Sequence, residues 1–109
     1  MPASGVVNSR TFTPTEACDV LVTATFSGQR TTGGDWGSGA YYRMFCTQNS
    51  VTTNGQQLPM STSRVPYTAR ARFSVVAGLA VEAGLFGGVS GASAVNFYDI
   101  EVIVELIKR

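Results

Sequence analysis

Apolar and polar residues alternate with a period of two along several segments of this chain, which is typical of β-strands. The clearest case runs from Ala94 to Ile107. Because successive side chains of a strand point to opposite sides, its even-numbered positions form a nearly continuous apolar face. Its odd-numbered positions mix acidic and large apolar residues: Val95, Phe97, Asp99, Glu101, Ile103, Glu105 and Ile107. This pattern predicts either a strand whose second side meets another subunit, or a half-buried strand with some exposed isoleucine.

The remaining pattern predicts further strands at 6–13, 18–26, 40–47, 51–53, 67–76 and 79–86. Between the last two, Gly78 predicts a tight hairpin, since a short turn needs a residue that tolerates positive φ. Gly-rich loops are expected at 27–39 and 87–93, and residues 1–5 are expected to be a flexible end. Together these elements predict one all-β domain over residues 1–109, a two-sheet antiparallel sandwich of jelly-roll type with six to eight strands.

Composition narrows the classes of partner. Charged residues make up 14% of the chain, against about 25% in typical soluble domains, so we expect part of the surface to be covered by protein. The net charge of +1 gives no general attraction to nucleic acid or anionic lipid. The longest apolar run, residues 75–81, is too short to span a bilayer, and the N-terminus lacks the pattern of a secretory signal. We therefore expect neither nucleic-acid binding nor membrane insertion.

The chain is poor in the residues that perform catalysis. It has no histidine, which excludes Ser–His and Cys–His nucleophile pairs and histidine metal ligation. Glu101 and Glu105 would lie about 13 Å apart along a strand, at ~3.3 Å per residue, too far for the carboxylate pair of a glycosidase. The sequence therefore predicts a protein that is not an enzyme, with no catalytic residues, no metal site and no cofactor.

Two cysteines, Cys18 and Cys46, have a spacing that matches no metal or redox motif. Both lie on the apolar side of a predicted strand. This placement favours buried, reduced thiols in a protein made in a reducing cytosol, and a disulfide between them is the open alternative.

Arginine and glutamate residues on two predicted strands suggest an interface. Arg70 and Arg72 project to the same side of their strand, where they could pair with Glu101 and Glu105 within the chain or between subunits. The alternative is an ordinary solvated face that discourages edge pairing. Combined with the exposed isoleucines, this predicts a homo-oligomer whose subunit interface contains Arg70, Arg72, Glu101, Ile103, Glu105 and Ile107.

The loop at 27–39 carries the single tryptophan, Trp36, beside Asp35. A large aromatic in a Gly-rich loop can repay the entropy of ordering that loop by docking on a partner or a sugar. It can also pin the loop to the domain's own core. We take Asp35, Trp36, Tyr41 and Tyr42 as candidate contacts for a partner or glycan.

A short, histidine-free, Thr- and Gly-rich β chain that ends in N-F-Y-D-I-E-V-I-V-E-L-I-K-R resembles small jelly-roll modules of tailed-bacteriophage virions. These modules are similar to the trimeric tumour-necrosis-factor/C1q type found in tail-fibre tips and capsid decoration (cement) proteins. The resemblance covers about residues 5–109 and rests on architecture. It implies a homotrimer with its C-terminal strand near the subunit interface, assembled in the host cytoplasm and located in the virion.

Of the virion roles, capsid decoration is favoured because the sequence contains no shaft, coiled-coil or collagen-like segment that would attach it to a tail. The expected partners are then other capsid or tail proteins of the particle. One alternative is a tail-fibre tip that binds a host receptor or surface carbohydrate. Another is a small intracellular β-sandwich scaffold.

Overall fold

Eight β-strands and no helix form the secondary structure of residues 4–32, 40–61, 63–89 and 94–108, the part of the chain that the computed structural model describes. The strands are β1 (Gly5–Phe12), β2 (Cys18–Thr32), β3 (Ala40–Gln48), β4 (Val51–Asn54), β5 (Leu58–Pro59), β6 (Val65–Val75), β7 (Val81–Val89) and β8 (Ala94–Lys108). β1 begins at Gly5, inside the predicted N-terminal end.

The strands pair into two antiparallel sheets. Sheet A has the order β1-β7-β3-β4, with β5 also paired to β3, and sheet B has the order β6-β2-β8. Apolar side chains of both sheets share one core, and its fully buried members include Val20 and Val22 from sheet B and Val81 and Leu85 from sheet A. The predicted all-β, two-sheet antiparallel fold is thus confirmed, while its jelly-roll type stays a proposal.

A two-residue turn joins β3 to β4. Asn49 and Ser50 have φ angles of 54° and 62°, and Gln48 pairs directly with Val51. Positive φ at both central positions is the requirement of the type I′ hairpin turn, whose twist matches that of the flanking strands. Beyond β4, the backbone N–H of Gly55 donates to Met44 O at 2.8 Å, after which the short strand β5 resumes pairing with β3.

The predicted hairpin at Gly78 is wrong, although the tight turn is present. Gly78 has a φ of 84°, and its N–H donates to Pro14 O at 2.9 Å. However, β6 pairs with β2 in sheet B, whereas β7 pairs with β1 and β3 in sheet A. The turn therefore carries the chain from one sheet to the other.

The strand β2 extends beyond its predicted end. Residues 27–32, predicted to be loop, continue the ladder and pair with the start of β8. This extension places Gly28 and Arg30 on the buried side of the strand, with Arg30 only 3% exposed and its backbone N–H donating to Ser61 O at 2.7 Å. Likewise, β7 continues to Val89, into the second predicted loop. Polar composition alone was misleading because pairing with a neighbouring strand satisfies the backbone of a polar segment.

The sequence predicted that β8 alternates regularly from end to end, but the strand contains one irregularity. Ser27 pairs with Tyr98 and Thr25 with Glu101, so β8 has one extra residue in this interval. Asp99 lies in this β-bulge with a φ of 53°. An extra residue inverts the facing of every later position. The side chains that contact the core are consequently odd-numbered before the bulge and even-numbered after it: Val95 and Phe97, then Ile100, Val102 and Val104.

Both cysteines are buried, as the apolar phase of their strands predicted. Cys18 and Cys46 are each 4% exposed and belong to the core, one in each sheet. Burial raises the pKa of the Cys46 thiol above its usual value of 9.0. Burial, together with neighbouring Tyr67, also raises the pKa of the core residue Tyr42 above 10.0.

These raised pKa values predict a loss of stability in alkali. The unfolded chain releases the Cys46 and Tyr42 protons at lower pH than the folded chain, so rising pH favours unfolding. Below pH 9.0 neither group contributes a slope; above it the Cys46 contribution is lost, and above pH 10.0 that of Tyr42 as well. Urea unfolding across this range should show the decline. Cys46→Ala and Tyr42→Phe should each flatten it, and an unchanged slope in both variants would contradict the assignment.

Candidate functional site

One side of sheet B packs on the core, and its other side faces solvent in the single chain. We define the sheet B surface by the outward residues of its three strands. On β6 they are Thr68, Arg70, Arg72 and Ser74; on β2, Asp19, Leu21, Thr23 and Thr25; and on β8, Glu101, Ile103, Glu105 and Ile107. All six predicted interface residues therefore lie on one face, although their role in an interface stays a prediction.

Strand register fixes which of these residues lie side by side. Arg72, Leu21 and Glu105 form one level across the three strands. The next level contains Arg70, Thr23 and Ile103. In each level a β2 residue separates the arginine strand from the acidic strand. Basic residues thus mark one edge of the sheet B surface and acidic residues the other.

The predicted ion pairs between these arginines and glutamates within the chain are wrong. Neighbouring strands lie about 4.8 Å apart, so β2 holds β6 and β8 almost 10 Å from each other. Arg72 instead donates through Nε to Asp19 Oδ2 at 2.8 Å, and Ser74 Oγ donates to Asp19 Oδ1 at 3.0 Å. Among the described residues, Arg70, Glu101 and Glu105 form no ion pair. Pairing between subunits stays a prediction.

Apolar side chains accompany the charged residues on the sheet B surface, on β2 and on β8. Ile103 is 47% exposed, while Leu21 and Ile107 are half-buried. Apolar side chains grouped on one exposed face of a sheet and rimmed by charges are a feature of protein–protein contacts.

The side of the sandwich between β1 and β8 is also incompletely covered. Leu106 follows the inward, apolar phase of β8 yet is 54% exposed. It borders a cavity of about 320 Å³ that is lined by Arg10, Thr11, Phe12, Val104 and Leu106. The strand β8 therefore exposes apolar side chains on both of its faces.

The opposite side of the sandwich is held by a side-chain contact. The amide of Gln48 donates to Val76 O at 2.8 Å and to Leu79 O at 3.1 Å, joining the two sheets.

The four candidate glycan contacts do not form one group. Asp35 and Trp36 lie outside the described residues. Tyr42 is 6% exposed and packs edge-to-face on Phe26, with ring centres 5.3 Å apart. The prediction that Tyr42 contacts a glycan is wrong, because strand alternation sends it into the core, opposite Tyr41. Tyr41 itself is half-buried on the outer side of sheet A, with its ring over the paired residue Gly88.

Beside Tyr41, the outer side of sheet A contains a groove that the sequence analysis missed. This sheet A groove has a volume of about 370 Å³ and is lined by Val6, Arg43, Phe45, Thr47, Thr52, Asn54, Glu82 and Phe86. The sequence signal was the odd-numbered phase of β3, which brings Tyr41, Arg43 and Phe45 to one side.

Arg43 is the central polar residue of the sheet A groove. Its guanidinium carbon lies 4.4 Å from the centre of the Phe86 ring and 5.5 Å from that of Tyr41, which are cation–π distances. The Arg43 Nε is buried and donates no hydrogen bond within the described part of the chain. Nearby, Ser9 Oγ donates to Glu82 Oε2 at 2.8 Å. The groove thus offers one unused donor beside a carboxylate that is already engaged.

Other classes of site were sought over the same residues. The described segments contain no group of three or more Cys, Asp or Glu placed to hold a metal ion. They also contain no helix long and apolar enough to cross a membrane. Comparisons with models of protein families, with curated proteins and with solved structures give no match to this chain.

Proposed function

We propose that this chain is a non-enzymatic structural protein of a bacteriophage virion, an oligomeric jelly roll on the particle surface that acts as capsid decoration. The observation that carries the proposal is the sheet B surface. Ile103 is half-exposed there, between charged side chains that find no partner in the described chain, on a sandwich whose core is otherwise well packed. Such a face suits a protein that works by assembling with copies of itself and with a lattice.

The jelly-roll type is part of this proposal, and the path of the chain supports it. Jelly rolls are double-sheet folds in which the chain passes repeatedly from one sheet to the other. Here the chain changes sheet between β1 and β2, β2 and β3, β5 and β6, β6 and β7, and β7 and β8. The resemblance of the sequence to trimeric virion modules supplies the expected oligomer, a trimer, and the location in a virion assembled in the host cytoplasm.

Localisation on intact particles tests the role directly. Virions purified from cells that encode this chain should react with antibodies against it, and immunogold particles should decorate the capsid. Quantitative mass spectrometry of the same virions should find it in multiple copies, as a lattice-bound protein requires. Label confined to the tail would favour the fibre tip instead. Absence of the chain from purified virions would overturn both roles and leave the intracellular scaffold.

A substitution of Trp36, which lies outside the described residues, separates the roles further. Under the decoration role, Trp36→Ala should weaken binding of the purified protein to particles that lack it, measured by co-sedimentation. Interface aromatics often contribute 2 kcal/mol or more, so a loss of about thirtyfold is expected. Under the fibre-tip role, assembly should survive and glycan binding should be lost. If only the melting temperature falls, Trp36 has no role in recognition.

A carbohydrate-binding fibre tip is the second candidate function, and the sheet A groove is the observation that favours it. Arg43 Nε is an unused buried donor, and Asn54 and Glu82 add polar groups to the same cavity. Sugar-binding sites pair a few such groups with aromatic walls, here Phe86. A glycan array should then show binding that Arg43→Gln abolishes and Arg10→Gln, at an exposed position outside this groove, leaves intact. No binding by the wild-type protein would overturn this candidate.

A further inference from the structure

We propose that copies of this chain associate around an axis parallel to the strands of sheet B, so that β6 of one copy contacts β8 of the next. The inference rests on the proposed oligomer and specifies its contact. Its basis is the opposite charge of the two edges of the sheet B surface. Arg70 and Arg72 lie on β6, Glu101 and Glu105 on β8, and the neutral residues Leu21, Thr23 and Thr25 between them on β2.

The direction of the axis follows from these charges. Rotation about an axis parallel to the strands brings the basic edge of one copy to the acidic edge of the other. Rotation about an axis that lies in the plane of the sheet and is perpendicular to the strands would place β6 on β6 and β8 on β8. That arrangement would face arginine with arginine and glutamate with glutamate, which costs several kcal/mol in a contact area. Only the first arrangement is self-complementary.

The register then assigns the partners. Rotation about an axis parallel to the strands leaves each level of the sheet at its height. Arg72 and Glu105 share a level, so Arg72 meets Glu105 of the partner subunit. Arg70 lies one level away, about 7 Å along the strand, and falls between Glu105 and Glu101 of the partner subunit. Arg70, Glu101 and Glu105 are exposed and form no ion pair within the described residues, so they are free for this contact.

The apolar residues of the face complete the contact. Leu21 lies on β2 between the charged edges, and Ile103 lies within the acidic edge between Glu101 and Glu105, where it is 47% exposed in the single chain. The contact would bury both side chains beside the charged residues. Because every copy offers one basic and one acidic edge, the same contact closes a pair or a ring of three.

Charge exchange tests this geometry. Arg70→Glu and Glu101→Arg each place like charges at positions 70 and 101 of neighbouring copies, leave Arg72 and Glu105 unchanged, and should weaken self-association at least about tenfold in sedimentation velocity. The double variant Arg70→Glu/Glu101→Arg again has opposite charges at these two positions and should recover to within about fivefold of wild type. Arg10→Glu makes the same change of charge on β1, outside the sheet B surface, and should leave association unchanged. Circular dichroism should confirm that all four variants are folded.

Mixing the two single variants gives an independent result. Each edge of one variant complements the opposite edge of the other, so the mixture should associate where neither variant does alone. If the assembly is a pair, the mixture should associate as strongly as wild type. In a ring of three, two copies of the same variant must be neighbours, so one like-charged contact remains and association is weaker than in wild type. A mixture that associates no better than its components would overturn the inference.

The remaining outcomes separate this inference from the proposed function. If both single variants disrupt assembly and the double variant does not recover, the charged residues contribute but the β6–β8 direction is wrong. If no variant differs from an oligomeric wild type, the sheet B surface is not the contact. A wild-type monomer at tens of micromolar would overturn the inference and the oligomer together, whereas localisation on virions is measured separately and stands or falls by itself.

Discussion

Gly84→Ala is expected to lower the free energy of unfolding by about 3 kcal/mol or more, a large part of the stability of a small domain. Gly84 lies in β7, where it pairs with Ser9 of the neighbouring strand β1. A Cβ atom at this position would overlap the carbonyl oxygen of Asn8 and come within 2.6 Å of Ser9 Cα. Both are backbone atoms of β1, which pairs through a register shift between Val6 and Asn8. Because these atoms belong to the backbone, β1 itself would have to shift to make room. Urea unfolding monitored by circular dichroism measures the loss.

A second glycine of β7 supplies the matched control. A Cβ at Gly88 would overlap the ring of Tyr41, a half-buried side chain. Stability lost in Gly88→Ala should therefore be largely recovered in the double variant Gly88→Ala/Tyr41→Ala. No such rescue is expected when Gly84→Ala is combined with Ser9→Ala, because the obstruction at Gly84 is backbone. Unfolding of Gly84→Ala within about 1 kcal/mol of wild type would show that β1 is not held in this register.

Ile103→Asp is expected to dissociate the oligomer while leaving the sandwich folded. Ile103 is 47% exposed in the single chain, so an aspartate there costs the monomer little. In a symmetric assembly the same substitution enters every contact, where it removes the apolar side chain and places a third carboxylate beside Glu101 and Glu105, with Arg70 of the partner subunit alone at its level. Sedimentation velocity should show a shift to monomer, and the β signal in circular dichroism should persist.

Val51→Asp is the matched control for this substitution. Val51 is 65% exposed on β4 of sheet A, away from the sheet B surface, and it is also a β-branched aliphatic residue. An exposed valine replaced by aspartate there should leave the oligomer unchanged. Equal loss of assembly in both variants would indicate a general effect on solubility or folding. An Ile103→Asp protein that still assembles like wild type would exclude the sheet B surface as the contact.

The sequence predicted what depends on neighbouring residues. Alternation placed Cys18 and Cys46 in the core and brought Arg70 and Arg72 to the outer side of a strand, since a strand of any sheet sends successive side chains to opposite faces. It also placed Glu101 and Ile103 together on the solvent side of β8. The candidate interface could be predicted for this reason: its members lie on the regular parts of two strands.

Prediction failed for two reasons. Tyr42 was taken as a glycan contact with Asp35 and Trp36, although its phase on β3, which it shares with Cys46, directs it into the core. The sheet A groove around Arg43 was missed because the odd-numbered phase of β3 does not show that residues of β1, β4 and β7 complete a groove there. The exposure of Leu106, which lies on the apolar phase of β8, likewise depends on how the distant strand β1 packs beside it.

By itself, the sequence determined the all-β class, most strand positions and the face of each regular strand, because these follow from the period of side chains along an extended backbone. Only the tertiary structure decided which strands pair, since a turn such as Gly78 has the same local chemistry whether it closes a hairpin or crosses between sheets. It also decided that the β-bulge at Asp99 inverts the facing of β8, and that β2 separates the arginines from the glutamates. Both result from hydrogen bonds between residues far apart in the chain, and so no local pattern records them.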